Sequence, residues 1–132
     1  MFKHILVPID LSGRNTRTLR TALALATQSR ARVTLLHVVQ EVAHIPVEEM
    51  RPFYQRLVAT SRRRLAEAAK PFAAAGLSVR TEVLVGEPAD EVVRLAMSRK
   101  ADLVVMGSHK VNPARRGGRG WGTTSYKVGI LC

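Results

Sequence analysis

The sequence predicts an α/β domain built on an open parallel sheet, with helices on both faces and four strands. Three observations predict it. Strand-like and helix-like segments alternate along the chain, the order expected of consecutive βαβ units. The strand centres are continuous apolar runs, as in strands covered on both sides. The 132 residues suit one domain, and no internal repeat or domain boundary interrupts them.

The first strand is expected over Phe2 to Ile9, around Ile5-Leu6-Val7. Asp10-Leu11-Ser12-Gly13 breaks it, and Ser12 is a candidate cap for a helix with Leu19, Ala22, Leu23 and Ala26 on one side. Arg14, Arg17 and Arg20 lie on the other side. A β-branched second strand is expected over Arg32 to Val39. A loop over 41–47 carries Pro46, and a long helix is expected from Glu48 to Ala75, with Pro52 in its first turn and a kink or restarted last turn at Pro71. Gly76 reads as its stop signal.

Leu77 to Val85 alternates as a third strand. Gly86-Glu87-Pro88 opens a helix whose acidic first turn suits the positive end of the helix dipole. Its apolar residues are Val92, Val93, Leu95 and Ala96. Asp102 to Met106 is the fourth strand; a basic, glycine-rich flexible loop over 110–122 and a short helix over 123–131 complete the reading.

Composition narrows the function classes. A lone Cys132 allows no intramolecular disulfide, no apolar run approaches a membrane span, and the amino terminus lacks a signal-peptide pattern, so cytoplasm is the expected compartment. The formal net charge of +11 favours anionic partners without saying which. No cysteine–histidine cluster has metal-ligand spacing, and neither common phosphate-loop pattern is present.

Open parallel sheets bind ligands beyond the carboxyl ends of their strands. Asp10, the His37-Val38 pair and Gly107-Ser108-His109 all fall at such ends. Gly107 permits close backbone approach, and the helix start at Thr123-Thr124-Ser125 offers free N–H groups and hydroxyls suited to phosphate. Lys110, Arg115, Arg116 and Arg119 add positive charge. From pattern alone, Asp10 serves equally as a ribose acceptor or a helix cap. His37, inside an apolar run, reads as a packed, hydrogen-bonded residue, and Ser108 beside His109 does not read as a nucleophile pair. Arg62-Arg63-Arg64 reads as a solvated helix face, and Trp121 reads either as stacked on a base or, the commoner case, as buried against the sheet.

The segments His4-Ile-Leu-Val-Pro-Ile-Asp-Leu-Ser12, Leu35-Leu-His-Val38, Gly86-Glu-Pro-Ala89 and Val105-Met-Gly-Ser-His109, in this order, resemble the universal stress protein family. The resemblance implies strand order 3-2-1-4 and an ATP site at the carboxyl edge of the sheet. It implies that Pro8, Asp10 and Val38 frame adenine and ribose. It further implies that Gly107, Ser108, His109, Lys110, Val111, Asn112 and Pro113 wrap ribose and phosphates. Gly122, Thr123, Thr124 and Ser125 would then meet the phosphates.

The ATP-binding branch carries Gly-x2-Gly-x9-Gly-Ser/Thr. Here Lys110 stands at the second glycine, and the spacing to Gly122-Thr123 is longer. The family's fifth strand would begin where this chain stops, at Cys132. The expected activity is ATP binding, with or without Mg²⁺, in a stress-response or signalling module that forms homodimers. No catalytic residue and no protein metal site are assigned. The competing readings are a slow ATPase using Asp10 or His109, and a nucleotide-free protein that binds other proteins or nucleic acid. Nucleic acid is the less favoured partner, because no recognition motif is visible.

Overall fold

A computed structural model describes residues 1–11, 13, 15–41 and 47–107. Four parallel strands form one sheet in the order β3-β2-β1-β4, as expected. The elements are β1 (His4–Pro8), α1 (Thr16–Ser29), β2 (Arg32–Gln40), a 3₁₀ turn (Val47–Met50), α2 (Arg51–Ala74), β3 (Val79–Gly86), α3 (Pro88–Ser98) and β4 (Leu103–Val104).

Alternation along β1 and β2 sorts the core into two layers. Ile5, Val7, Val33 and Leu35 pack on one face with Ala22 and Ala26 of α1 and with Leu65 and Phe72 of α2. Leu6 and Leu36 pack on the other face with Ala89, Val92, Leu95 and Ala96 of α3. Leu65 and Phe72 are almost wholly buried; burial of each such side chain contributes about 1.5–3 kcal/mol.

This layering follows from the strand order. The chain moves outward from β1 to β2 to β3 with α1 and α2 on one side. It then returns across the sheet to β4 with α3 on the opposite side. The winding therefore reverses between β1 and β4, which pair through Ile5 with Leu103 and Leu6 with Val104. A crevice outside the carboxyl ends of these two strands is the place where such sheets take ligands.

Several boundaries differ from expectation. The cap position of α1 is held by Asn15, whose side chain makes no capping bond, three residues beyond Ser12, which lies outside the described residues. The 3₁₀ turn precedes α2, with Pro52 in the first turn of the helix. Pro71 breaks nothing: α2 runs through it to Ala74. The ring sits on the exposed side of the last turn, where the N–H it lacks would serve only one ladder bond. Gly76 ends the element with φ +80°, a left-handed backbone that favours glycine. The amino end of α3 follows the sequence closely: Pro88 opens it, and the Glu87 carboxylate accepts from the Asp90 N–H at 2.8 Å.

Strand β4 is shorter than expected. Its ladder covers Leu103–Val104, although the Val105 N–H still donates to the Leu6 carbonyl at 3.0 Å. The expected helix over 123–131 and loop over 110–122 lie outside the described residues.

The amino edge of the sheet is knitted by polar groups. The Asp102 carboxylate accepts the backbone N–H groups of Lys3 (2.8 Å) and His4 (3.1 Å). Chiefly through the Lys3 N–H, and then that of His4, these bonds hold its carboxyl below the usual carboxylate range against an opposing desolvation. The buried His4 ring bridges the Arg99 carbonyl at 3.0 Å and the Thr34 hydroxyl at 2.8 Å. Arg99 also pairs with Glu82 of β3.

Candidate functional site

The carboxyl edge is organised around the segment that leaves β1. Pro8, the last residue of the strand, is half-buried, and Ile9 is buried on the α1–α2 face. The Ile9 N–H donates to the Leu36 carbonyl at 2.8 Å, and the Ile9 carbonyl accepts from His37 Nδ1 at 2.9 Å. A carbonyl can only accept, so the proton of this bond sits on Nδ1. His37 is thus half-buried and hydrogen-bonded, and it fastens β1 to β2 where both leave the sheet.

Asp10 follows with an exposed side chain, and its Oδ1 accepts from Asn15 Nδ2 at 2.9 Å. Leu11 then turns at φ +56°, a left-handed conformation unusual for a leucine. Its side chain packs on the core beside α1 and α2, and its carbonyl accepts from Arg64 of α2 at 3.2 Å. Three consecutive residues, Ile9 to Leu11, are therefore each held by a different element. The Asp10 carboxylate projects from a fastened loop, which reduces the ordering a ligand would have to impose.

Val38 lies on the α3 face, half-buried against the cluster of Leu6, Leu36 and Val92, with Leu84 its register partner on β3. Gly107 ends the described chain after β4 and is exposed. A Cβ built on Gly107 would lie 3.1 Å from Thr18 Oγ1, closer than side chains ordinarily sit. This backbone therefore runs against the first turn of α1, a turn with no acidic residue. Asn15, the cap of that same helix, holds Asp10. Asp10 and Gly107, almost a hundred residues apart in sequence, thus both border the amino end of α1.

Of the residues singled out in the sequence, the structure brings Pro8, Asp10, Val38 and Gly107 to the carboxyl edge. Ser108, His109, Lys110, Val111, Asn112, Pro113, Gly122, Thr123, Thr124 and Ser125 lie outside the described residues. Sequence reasoning missed Asn15, Thr18 and Arg64. Asn15 signals itself as a helix-start residue beside the acid. Arg64 gives no signal within its arginine triplet: Arg62, Arg63 and Arg64 are all exposed, yet Arg64 alone of the three reaches the loop bearing Asp10. Among the described residues no group of three or more His, Cys, Asp or Glu is arranged to hold a metal ion. None of the described helices is long and apolar enough to cross a membrane.

Comparison with known proteins places this geometry. The sequence profile described as the universal stress protein family matches residues 1–128. The universal stress protein MJ0531 of Methanocaldococcus jannaschii is 30% identical over 111 residues, covering 82% of this chain and 65% of that protein. The solved structure of MJ0577 superposes with a TM-score of 0.80 at 27% identity. It covers 98% of this chain and 90% of that one. A universal stress protein solved in complex with cAMP shares the fold, with a TM-score of 0.68 at 24% identity over 98% of this chain and 90% of that chain.

Proposed function

The chain belongs to the universal stress protein family, and from that premise we propose that it binds an adenine nucleotide, ATP foremost, at the carboxyl edge between β1 and β4. The observation that carries the reading is that the Asp10 loop and Gly107 both border the amino end of α1, beside the point where the winding reverses. The fold relative solved with cAMP indicates that this scaffold admits a ligand of that class.

Each residue has a role in this reading. The exposed Asp10 carboxylate accepts hydrogen bonds from ribose hydroxyls, oriented by Asn15. Pro8 and Val38 offer apolar surface to the base. Gly107, whose missing Cβ lets the chain run against the first turn of α1, offers its backbone to the sugar and phosphates, and residues 108–113 and 122–125 continue around them. Lys110, where the family pattern has glycine, contributes a cation toward the phosphates. A Mg²⁺ ion accompanying ATP would take its ligands from phosphate oxygens and water, as this ion commonly does.

The module binds and signals; any hydrolysis is slow, and it acts in the cytoplasm as a homodimer. Isothermal titration calorimetry with ATP, ADP, AMP and cAMP, with and without Mg²⁺, tests the reading. Saturable binding to the wild type that weakens in Asp10→Ala supports it, and no heat of binding at millimolar ATP overturns it.

A further inference from the structure

The nucleotide reading leaves most of the positive charge unused, and the fold sorts that charge by layer. Helices α1 and α2, which cover one face of the sheet, carry seven arginines and Lys70 against Glu67 alone. Helix α3, which covers the other, carries Asp90 and Glu91 against Arg94, and Arg94 is paired with Glu91. Among the described residues, the chain is thus strongly cationic on one helical layer and not on the other.

The cations on that layer are directed outward. The buried stripe of α2 runs through Tyr54, Ser61, Leu65 and Phe72, so Arg56, Arg63 and Lys70, spaced seven apart, form a row on its solvent side. Successive members stand about 10.5 Å apart along the axis. Arg17 and Arg20 project from the exposed side of α1. The one ion pair found in this layer among the described residues, Lys70 with Glu67 at 3.0 Å, is exposed on both partners, and such pairs offset little charge.

We propose that the α1–α2 layer is a docking surface for the phosphate backbone of a duplex nucleic acid, bound without regard to sequence. Helix α2, with 24 residues, is about 36 Å long, close to one turn of a duplex at about 34–36 Å. A duplex presents one charge per about 1.7 Å of axis, so the row of Arg56, Arg63 and Lys70, about 21 Å from end to end, can meet phosphates along more than half of the helix and release their counterions. Base stacking is not expected, because Phe53 and Leu57, the large apolar side chains most exposed on this layer, are each more than half covered, at 39% and 38% exposure. An anionic lipid surface fits less well. Membrane adsorption needs an apolar face to bury, and the apolar face of α2 is already spent on the sheet.

Fluorescence anisotropy of the full chain with a labelled 20-base-pair duplex, at 50 to 300 mM NaCl, tests this. The expected result is a log–log salt slope of about −3 to −5. The variant Arg17→Gln/Arg20→Gln/Arg56→Gln/Arg63→Gln keeps helix propensity nearly constant, and circular dichroism verifies its fold. It is expected to lose at least about tenfold in affinity and about two or more units of slope. A comparison variant, Arg115→Gln/Arg116→Gln/Arg119→Gln, is expected to lose less. If this second variant removes the slope while the helical variant keeps it, the proposal falls. It also falls if phosphatidylserine vesicles or polyglutamate bind as tightly as the duplex at 150 mM NaCl.

Discussion

At the amino edge of the sheet, polar groups turn toward one another; at the carboxyl edge, the chain fastens a loop and leaves its carboxylate facing outward. His4 and Thr34 are buried and bonded to each other, and Asp102 gathers two backbone N–H groups. Asp10, at the opposite edge, is exposed and held through Asn15. The contrast separates two uses of polar residues in one small sheet. A buried polar group is costly unless paired, so the amino-edge network specifies how β1, β2, β4 and the end of α3 meet. An exposed acid on a fastened loop is instead placed where a ligand can reach it.

This difference predicts opposite responses to mutation. The largest effect is expected for Asp10→Ala on nucleotide binding: loss of a charged hydrogen-bond acceptor costs about 1.5–3 kcal/mol, or roughly ten- to more than a hundredfold in Kd. Its urea midpoint should stay close to wild type. Next comes Thr34→Val, which leaves a His4 ring nitrogen unpaired in the core. Urea unfolding should show a loss of about 1–3 kcal/mol, while the nucleotide Kd of the folded protein is unchanged. Equal effects of either substitution on both readouts would erase the distinction between the edges.

Arg64→Gln should be milder. It releases the Leu11 carbonyl and loosens the loop bearing Asp10, weakening nucleotide binding about three- to tenfold, the equivalent of a single modest hydrogen bond. Calorimetry on the Asp10→Ala background sharpens this: if Arg64 acts through Asp10, the second substitution adds little there.

The smallest effect belongs to Asp102 and is confined to acid. Its carboxyl is held below the ordinary value of 3.8. The resulting stabilisation is therefore fully present above that value and disappears as pH falls through the lower, folded-state value. Asp102→Asn should flatten this limb of a stability–pH profile measured by urea unfolding between pH 2 and 7.

Much of the architecture was legible because it rests on local pattern. The apolar centres of β1 and β2, the stop at Gly76 and the Pro88 start of α3 each carry their signal within a few residues. Boundaries that depend on distant partners were not. The apolar run through Met106 reads as strand throughout, yet its register with β1 covers Leu103 and Val104, with one further bond from the Val105 N–H. Ser12 and Asn15 are both ordinary cap residues, and the choice between them depends on how the chain leaves β1.

At the site, Asp10 and Gly107 stood out in sequence, while their supports did not. Arg64 is 53 residues from Leu11, and nothing within its triplet distinguishes it from its neighbours. His4 posed the same difficulty at the other edge: a histidine heading an apolar strand is conspicuous, but its partners Thr34 and Arg99 lie 30 and 95 residues away.

The geometry around His4 also dictates where its hydrogens reside. The Arg99 carbonyl can only accept, so Nδ1 carries the hydrogen of the neutral ring and Nε2 takes one from the Thr34 hydroxyl. The Thr34 bond is buried between β1 and β2, and the Arg99 bond is partly buried at the end of α3. Solvent reaches the first when the two strands come apart. The imidazole resonance is accordingly a built-in reporter of how often the base of the sheet opens: its exchange with deuterium should keep pace with the slowest backbone amides of β1, not with those of the Asp10 loop.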